Sequence, residues 1–431
     1  MTSTPIERNA GKYRWVICGM LFLATVINYM DRQILGLLAP MLQHDIGWTQ
    51  LEYSRIVITF SAAYAVGILL AGRVVDRLGV KLSYSLAILF WSAAAMLHAA
   101  VSSVVGFAVV RALLGLGEGG HFPAAIKTVA EWFTPKERAL AVGLFNSGAN
   151  IGAVIAPAVI PALALAYGWR AAFVVIGLLG ILWFVAWIFI YRPAGQPASA
   201  TDETPAGEAV QSQAAPAESE PASPAPTWRK LLTYRQTWAF IIGKFLTDPI
   251  WWFYLFWLPK WLNEARGLDM RQLGLPLLTI YTITIIGSIG GGWLSSTLLR
   301  RGKSVNRARK TAMLVCALCT VPVMTVSGID HLWGAVLLIG LAAAAHQGWS
   351  ANLFTTVSDL FPQRMVASVI GLGGMAGSLG GVLFSELIGR VLEGTGHYWS
   401  LFVIGGSAYL VALAAFHLLT PRMEAAKVSQ F

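Results

Sequence analysis

Apolar stretches of about 20 residues recur from end to end of this chain, each long enough to cross a hydrocarbon core of about 30 Å as a helix. Twelve can be counted: 14–38, 51–75, 82–101, 104–125, 139–160 and 171–191, then 238–262, 273–299, 311–328, 332–357, 366–392 and 399–419. Hydrocarbon offers the backbone no hydrogen bonds, so each stretch must satisfy its own, as a helix does. Only 12% of residues are charged, where a soluble globule carries about a quarter. The expected class is an all-α polytopic membrane protein with twelve transmembrane helices. The first run is too long for a signal peptide and is followed by no small-residue cleavage site, so no cleaved signal is expected. Cys18, Cys316 and Cys319 lie inside apolar runs and read as small apolar residues, with no disulfide and no metal site.

The net charge of +10 follows from topology, so no nucleic-acid partner is expected. With the N-terminus inside, cytoplasmic segments hold roughly twenty Lys and Arg and the opposite side about four. The densest cluster is LLRRGKSVNRARK, Leu298 to Lys310. Both termini are therefore expected in the cytoplasm. A break rich in Ala, Pro, Glu, Ser and Gln starts at Arg192; it has almost nothing to bury and reads as a largely disordered cytoplasmic linker. The expected division is 1–191, linker 192–234, and 235–431. The halves echo each other. EWFTPKERALAVG (131–143) matches DLFPQRMVASVIG (359–371), and GRVVDRLGVK (72–81) has a shortened echo in LLRRGKSV (298–305). Such matching loops are what a duplicated transporter shows.

Gly72, Asp76, Arg77, Gly79 and Lys81 in that first loop resemble the loop 2–3 signature of the major facilitator superfamily. Three stretches resemble the anion:cation symporter family within it, especially its bacterial hexuronate and sugar-acid proton symporters. They are Asn28 to Arg32, Arg111 to Gly119 with its Gly115-x-Gly117-Glu118-Gly119 run, and Gly243 to Pro249. The resemblance implies two pseudo-symmetric six-helix bundles working by alternating access. It implies import of a small organic anion, a hexuronate, aldonate or aldarate, by proton symport. It implies no cofactor beyond the proton as coupling ion, a monomer, and the bacterial cytoplasmic (inner) membrane. Carried onto this sequence, Asp31 and Glu118 would couple protons, Arg32 and Arg111 would hold substrate, and Tyr64 would touch it. The signature loop would lock the closed cytoplasmic side.

The residues support that assignment on physical grounds. An ionisable group inside a span is costly and marks a pathway or a partner. Arg111 falls about 10 Å from the outer edge of its span at about 1.5 Å per residue, near the depth of Asp31, so an Asp31–Arg111 pair is geometrically possible. Glu118 follows two turns after Arg111 on the same face. Lys244 and Asp248 are one turn apart and can neutralise each other, just before Pro249, which favours a kink. Asp31, Glu118 and Asp248 balance Arg32, Arg111 and Lys244, so one proton would offset each bound monoanion. Trp251, Trp252, Tyr254 and Trp257 offer faces for a sugar, and Tyr29 a hydroxyl. Asn150, Gln347, Asn352 and Ser378 are candidate neutral partners for sugar hydroxyls, with His346 and Ser350 beside them. His346 is read as a packing residue, and Asp359 and Arg364 as gate residues. No nucleophile–base constellation or metal cluster is present, so an enzyme is not expected. Two alternatives stay open: a proton-independent facilitator or exchanger, and a nutrient sensor on a transporter fold.

Overall fold

A computed structural model describes residues 5–48, 50–193, 227–268, 272 and 274–426. Among them the secondary structure is helical throughout. The first half contains α1 (Pro5–Leu37), α2 (Ala39–Ile46), α3 (Gln50–Leu78), α4 (Val80–Leu97), α5 (Val104–Glu118), α6 (His121–Trp132), α7 (Pro135–Tyr167) and α8 (Trp169–Ile190). The second contains α9 (Trp228–Leu231), α10 (Arg235–Phe256), α11 (Leu258–Arg266), α12 (Gly274–Arg300), α13 (Val305–Thr320), α14 (Leu332–Leu360), α15 (Gln363–Thr395) and α16 (Trp399–Leu419). Most of the expected linker lies outside the described residues. Its last part departs from expectation: Trp228–Leu231 form a turn of helix, and Leu231 is fully buried.

Among the described residues, ten helical segments are long and apolar enough to cross a membrane. The other two expected spans differ for identifiable reasons. Span 104–125 is divided into α5 and α6 at Gly119–Gly120. Span 238–262 is interrupted after Phe256, and α10 carries Lys244 and Asp248 in its middle. Both departures fall on stretches holding charged candidate residues.

The halves meet through α3 against α15 and through α7 against α12. These contacts need close backbone approach, which small residues allow. A methyl group at Gly72 would collide with the carbonyl of Ala367, and one at Gly292 with that of Ala139. Ala139 and Ala367 hold matching places in the two echoing loops, so one contact is built twice. Gly79, at φ 79°, turns the chain from α3 into α4 without the steric cost a side chain would bring.

Burial shows where the molecule is closed. In α7, burial is dense from Ala139 to Gly152, then thins to Ala156, Ile160 and Ala164, the one-in-four rhythm of a helix packed on one face. In α14 nearly every residue from Ala342 to Leu360 is buried, while only scattered residues are buried before it. Both helices are enclosed at the end carrying the basic loops. The bundles therefore meet at the basic face and separate towards the opposite face.

Candidate functional site

Between the two bundles lies a cavity. From the first half it is lined by Tyr29 and Arg32 of α1, Tyr64 and Ile68 of α3, Phe122 of α6 and Asn146 of α7. From the second it is lined by Lys244, Asp248, Trp251 and Trp252 of α10, by His346, Gln347, Ser350 and Phe354 of α14, and by Gly374 and Ser378 of α15. Phe122 and Phe354 stack at 5.4 Å across the halves, on the basic-face side. Asn146 donates to Gln347 Oε1 at 2.7 Å, a second tie between the halves.

Arg32 organises the first half of the site. Its Nε donates to Glu118 Oε2 at 2.6 Å, and the Glu118 side chain is fully buried. Its guanidinium lies 4.5 Å from the ring centre of Tyr64, 5.1 Å from Tyr29 and 5.7 Å from Phe60. Such an aromatic surround stabilises a desolvated cation. Glycine lets α5 come close enough: a side chain at Gly115 would strike the backbone of α3 at Phe60 and Tyr64. Next to the Gly119–Gly120 break, His121 is held by Tyr84 (2.7 Å) and Thr25 (3.0 Å), which fixes the start of α6.

The Asp31–Arg111 pair that helix depth allowed is not made. Both side chains are buried, yet among the described residues both oxygens of Asp31 and Nε and Nη2 of Arg111 lack partners. The reason is rotational: neighbours on a helix point about 100° apart, so Asp31 turns away from the cavity when Arg32 faces it. Arg111 also does not line the cavity, against the expectation that it touches substrate. The charges of Glu118, Arg111 and Arg32 nevertheless all act on Asp31. The four residues form one electrostatic cluster, with Arg32 as its cavity-facing member.

In the second half, Lys244 Nζ lies 2.6 Å from Asp248 Oδ2, the expected one-turn pair. The ammonium also sits 4.2 Å from the Phe354 ring centre. Trp252, Gln347 and Ser378 line the cavity as expected. Asn150 and Asn352 do not. Asn150 is fully buried away from it, and Asn352 spends its amide on the Gly291 and Gly348 carbonyls at 2.9 Å each. Tyr254 is fully buried in packing. Trp251, His346 and Ser350 also line the cavity, and Asn146 is a cavity residue that the sequence did not single out. Asn146 carried a usable signal: it stands one turn before Asn150 in an otherwise apolar helix.

Below the cavity, the signature loop joins the halves. Asp76 pairs with Lys127 at 3.0 Å and accepts from the backbone amides of Ser368 (2.6 Å) and Ala367 (3.3 Å), in the second turn of α15. Lys127 was not anticipated, although a lysine in the apolar run AAIKTVA was a visible anomaly. Arg77 of the same loop is exposed. A second lock sits opposite. Arg309, fully buried, donates to Asp359 (2.8 Å), Ser295 (2.6 Å) and the Pro135 carbonyl (2.8 Å). Arg138 reaches the Ser358 carbonyl at 2.8 Å and Asp359 at 3.5 Å. Asp359 is thus held by Arg309 and Arg138 where the halves meet; Arg364 makes no ion pair among the described residues.

With twelve expected spans, paired halves and a central cavity between them, the chain has the architecture of an alternating-access carrier. It belongs to the major facilitator superfamily, whose family model matches residues 21–385. A hexuronate transporter of Escherichia coli (strain K12) is 30% identical over 412 residues, covering 94% of this chain and 92% of that protein. A probable galactarate/D-glucarate transporter, GudP, of Bacillus subtilis (strain 168) is 30% identical over 417 residues, covering 94% and 91%. A D-galactonate transporter of Escherichia coli O6:H1 is 27% identical over 412 residues, covering 94% and 95%. Two solved structures share the fold. One is the proton:xylose symporter XylE, with a TM-score of 0.74 at 13% identity, covering 96% of this chain and 98% of that one. The other is the transporter FucP in its outward conformation, with a TM-score of 0.71 at 14% identity, covering 95% and 99%. The family and these relatives are transporters, not enzymes.

Proposed function

We propose that this protein is a secondary transporter that imports a sugar acid, a hexuronate, aldonate or aldarate, by proton symport. One observation carries the reading: each half turns one cation into a shared cavity, Arg32 and Lys244, and each is already paired with an acid. An entering carboxylate competes with Glu118 for Arg32 and with Asp248 for Lys244. A buried carboxylate deprived of its counter-ion takes up a proton instead of standing as a bare charge. Binding of the anion and uptake of the proton thus become one event, shared by the cluster of Asp31, Arg32, Arg111 and Glu118. Tyr29, Tyr64, Trp252, Gln347 and Ser378 supply flat faces and neutral partners for the polyhydroxy part of the substrate.

In this reading the basic face is cytoplasmic, the chain is a monomer in a bacterial inner membrane, and both termini lie inside. The closed basic face then makes this the outward-facing state. The gate locks of Asp76 and Asp359 must open before the anion is released inward. The test is uptake of labelled D-glucuronate, D-galactonate and D-glucarate into proteoliposomes under an imposed pH gradient. Accumulation that collapses with the gradient is the expected result. Uptake of none of the three overturns the substrate class, and uptake indifferent to the gradient overturns the coupling.

A further inference from the structure

The two halves can be laid on each other through their echoing loops, which end at Gly143 and Gly371. On that register His346 precedes Asp359 by the interval at which Glu118 precedes Glu131. Gly152 of α7 packs against the Val26 carbonyl, and its counterpart Gly380 of α15 against the Phe245 carbonyl. Arg32 and Trp251 follow those two residues at the same interval. The Arg32–Glu118 ion pair therefore has a counterpart in the second half: Trp251 stacked on His346, with ring centres 5.3 Å apart and planes at 7°. Where the first half places an ion pair, the second half places a stacked imidazole.

The imidazole is oriented. Its Nδ1 lies 2.7 Å from the hydroxyl of Tyr409, which is fully buried. A buried hydroxyl hydrogen requires an acceptor, and Nδ1 is the only partner of this hydroxyl among the described residues. The hydroxyl therefore donates, Nδ1 accepts, and the ring hydrogen of the neutral imidazole is on Nε2. No protein group bonds Nε2 among the described residues, and the ring forms part of the cavity wall beside Lys244, Gln347 and Ser350.

We propose that His346 is a specificity-determining residue that donates its Nε2–H to an oxygen of the transported organic anion, with Tyr409 and Trp251 as positioning residues that fix its tautomer and tilt. The inference rests on the sugar-acid reading and adds to it a named donor in the second half. It departs from the expectation that His346 only packs.

The test is counterflow of D-glucuronate, D-galactonate and D-glucarate in proteoliposomes, comparing wild type with His346→Phe, His346→Gln and Tyr409→Phe. His346→Phe keeps an aromatic ring on Trp251 but has no donor, so KM rises about tenfold, the worth of one hydrogen bond to a charged acceptor, while the maximal exchange rate stays near wild type. His346→Gln supplies an N–H again and restores most of the affinity. Tyr409→Phe releases the ring tautomer and gives an intermediate KM. A wild-type KM in His346→Phe, or His346→Gln as impaired as His346→Phe, overturns the role of His346 alone. If wild type exchanges none of the three compounds, the sugar-acid reading falls and takes this inference with it.

Discussion

The halves each bring an ion pair to the cavity, and the pairs are built differently. Lys244 and Asp248 sit one turn apart on α10, so they meet wherever that helix goes. Arg32 and Glu118 sit on α1 and α5, so their 2.6 Å contact exists only while those helices hold their present arrangement. The first-half pair also has unsatisfied company: among the described residues, both oxygens of Asp31 and Nε and Nη2 of Arg111 are buried without hydrogen-bond partners. An intrahelical pair is a fixed local dipole. An interhelical pair amid unpartnered polar atoms can respond to substrate and to helix movement. Under the proposed function, this contrast would put coupling in the first half and recognition in the second.

The sharpest way to break this contrast is Glu118→Gln. Gradient-driven accumulation should fall on the order of a hundredfold, consistent with losing one partner of a buried pair, while exchange at equal concentrations persists. Accumulation that survives would move coupling elsewhere. Next in size is Lys244→Ala, which leaves Asp248 unpaired and should weaken sugar-acid affinity by a factor of roughly 30 or more, read by KM in counterflow. Adding Asp248→Ala should recover thermal stability, since no buried charge is then left alone, without recovering affinity. The matching double change of Arg32 and Glu118 should leave exchange itself lost.

The gates repeat the comparison more gently. Ser296 follows Gly292 as Asp76 follows Gly72, yet its hydroxyl is buried with no partner among the described residues, whereas Asp76 holds Lys127 and two α15 amides. Asp76→Asn should shift the population towards an open basic face by about 1–3 kcal/mol, as expected for lost charge-assisted hydrogen bonds. Distances between spin labels at Arg77 and Arg364 would report it. Ser296→Ala should shift those distances far less. Smallest of all, Gln347→Ala should cost about 0.5–1.5 kcal/mol in affinity, whereas Asn352→Ala should lower melting temperature with affinity unchanged, because its amide serves α12.

Much of this site was legible before any coordinates. Charges within apolar spans have few permissible positions, so Arg32, Glu118, Lys244 and Asp248 stood out. The Lys244–Asp248 pair was fully readable, because both residues lie on one helix and helical geometry fixes their separation. The partner of Glu118 was not. Choosing Arg32 over Arg111 depends on the rotation of α1 about its axis, and hydropathy does not report rotation. For the same reason Asn352 was counted in the cavity, and Lys127 was missed as the partner of Asp76.

The sequence by itself determined the helices, their number to within the two interrupted spans, the duplicated plan and the inventory of costly charges. These follow from hydrocarbon thickness, backbone hydrogen bonding and spacing along one chain. Only the tertiary structure decided which face of each helix looks inward. That choice set Arg32 against Glu118, turned Asp31 away, placed His346 on the cavity wall and closed the basic face. It is made by glycines such as Gly72, Gly115 and Gly292, where the missing side chain lets another backbone approach. Their partners lie far away in sequence, and packing between distant segments is the one interaction that local spacing does not encode.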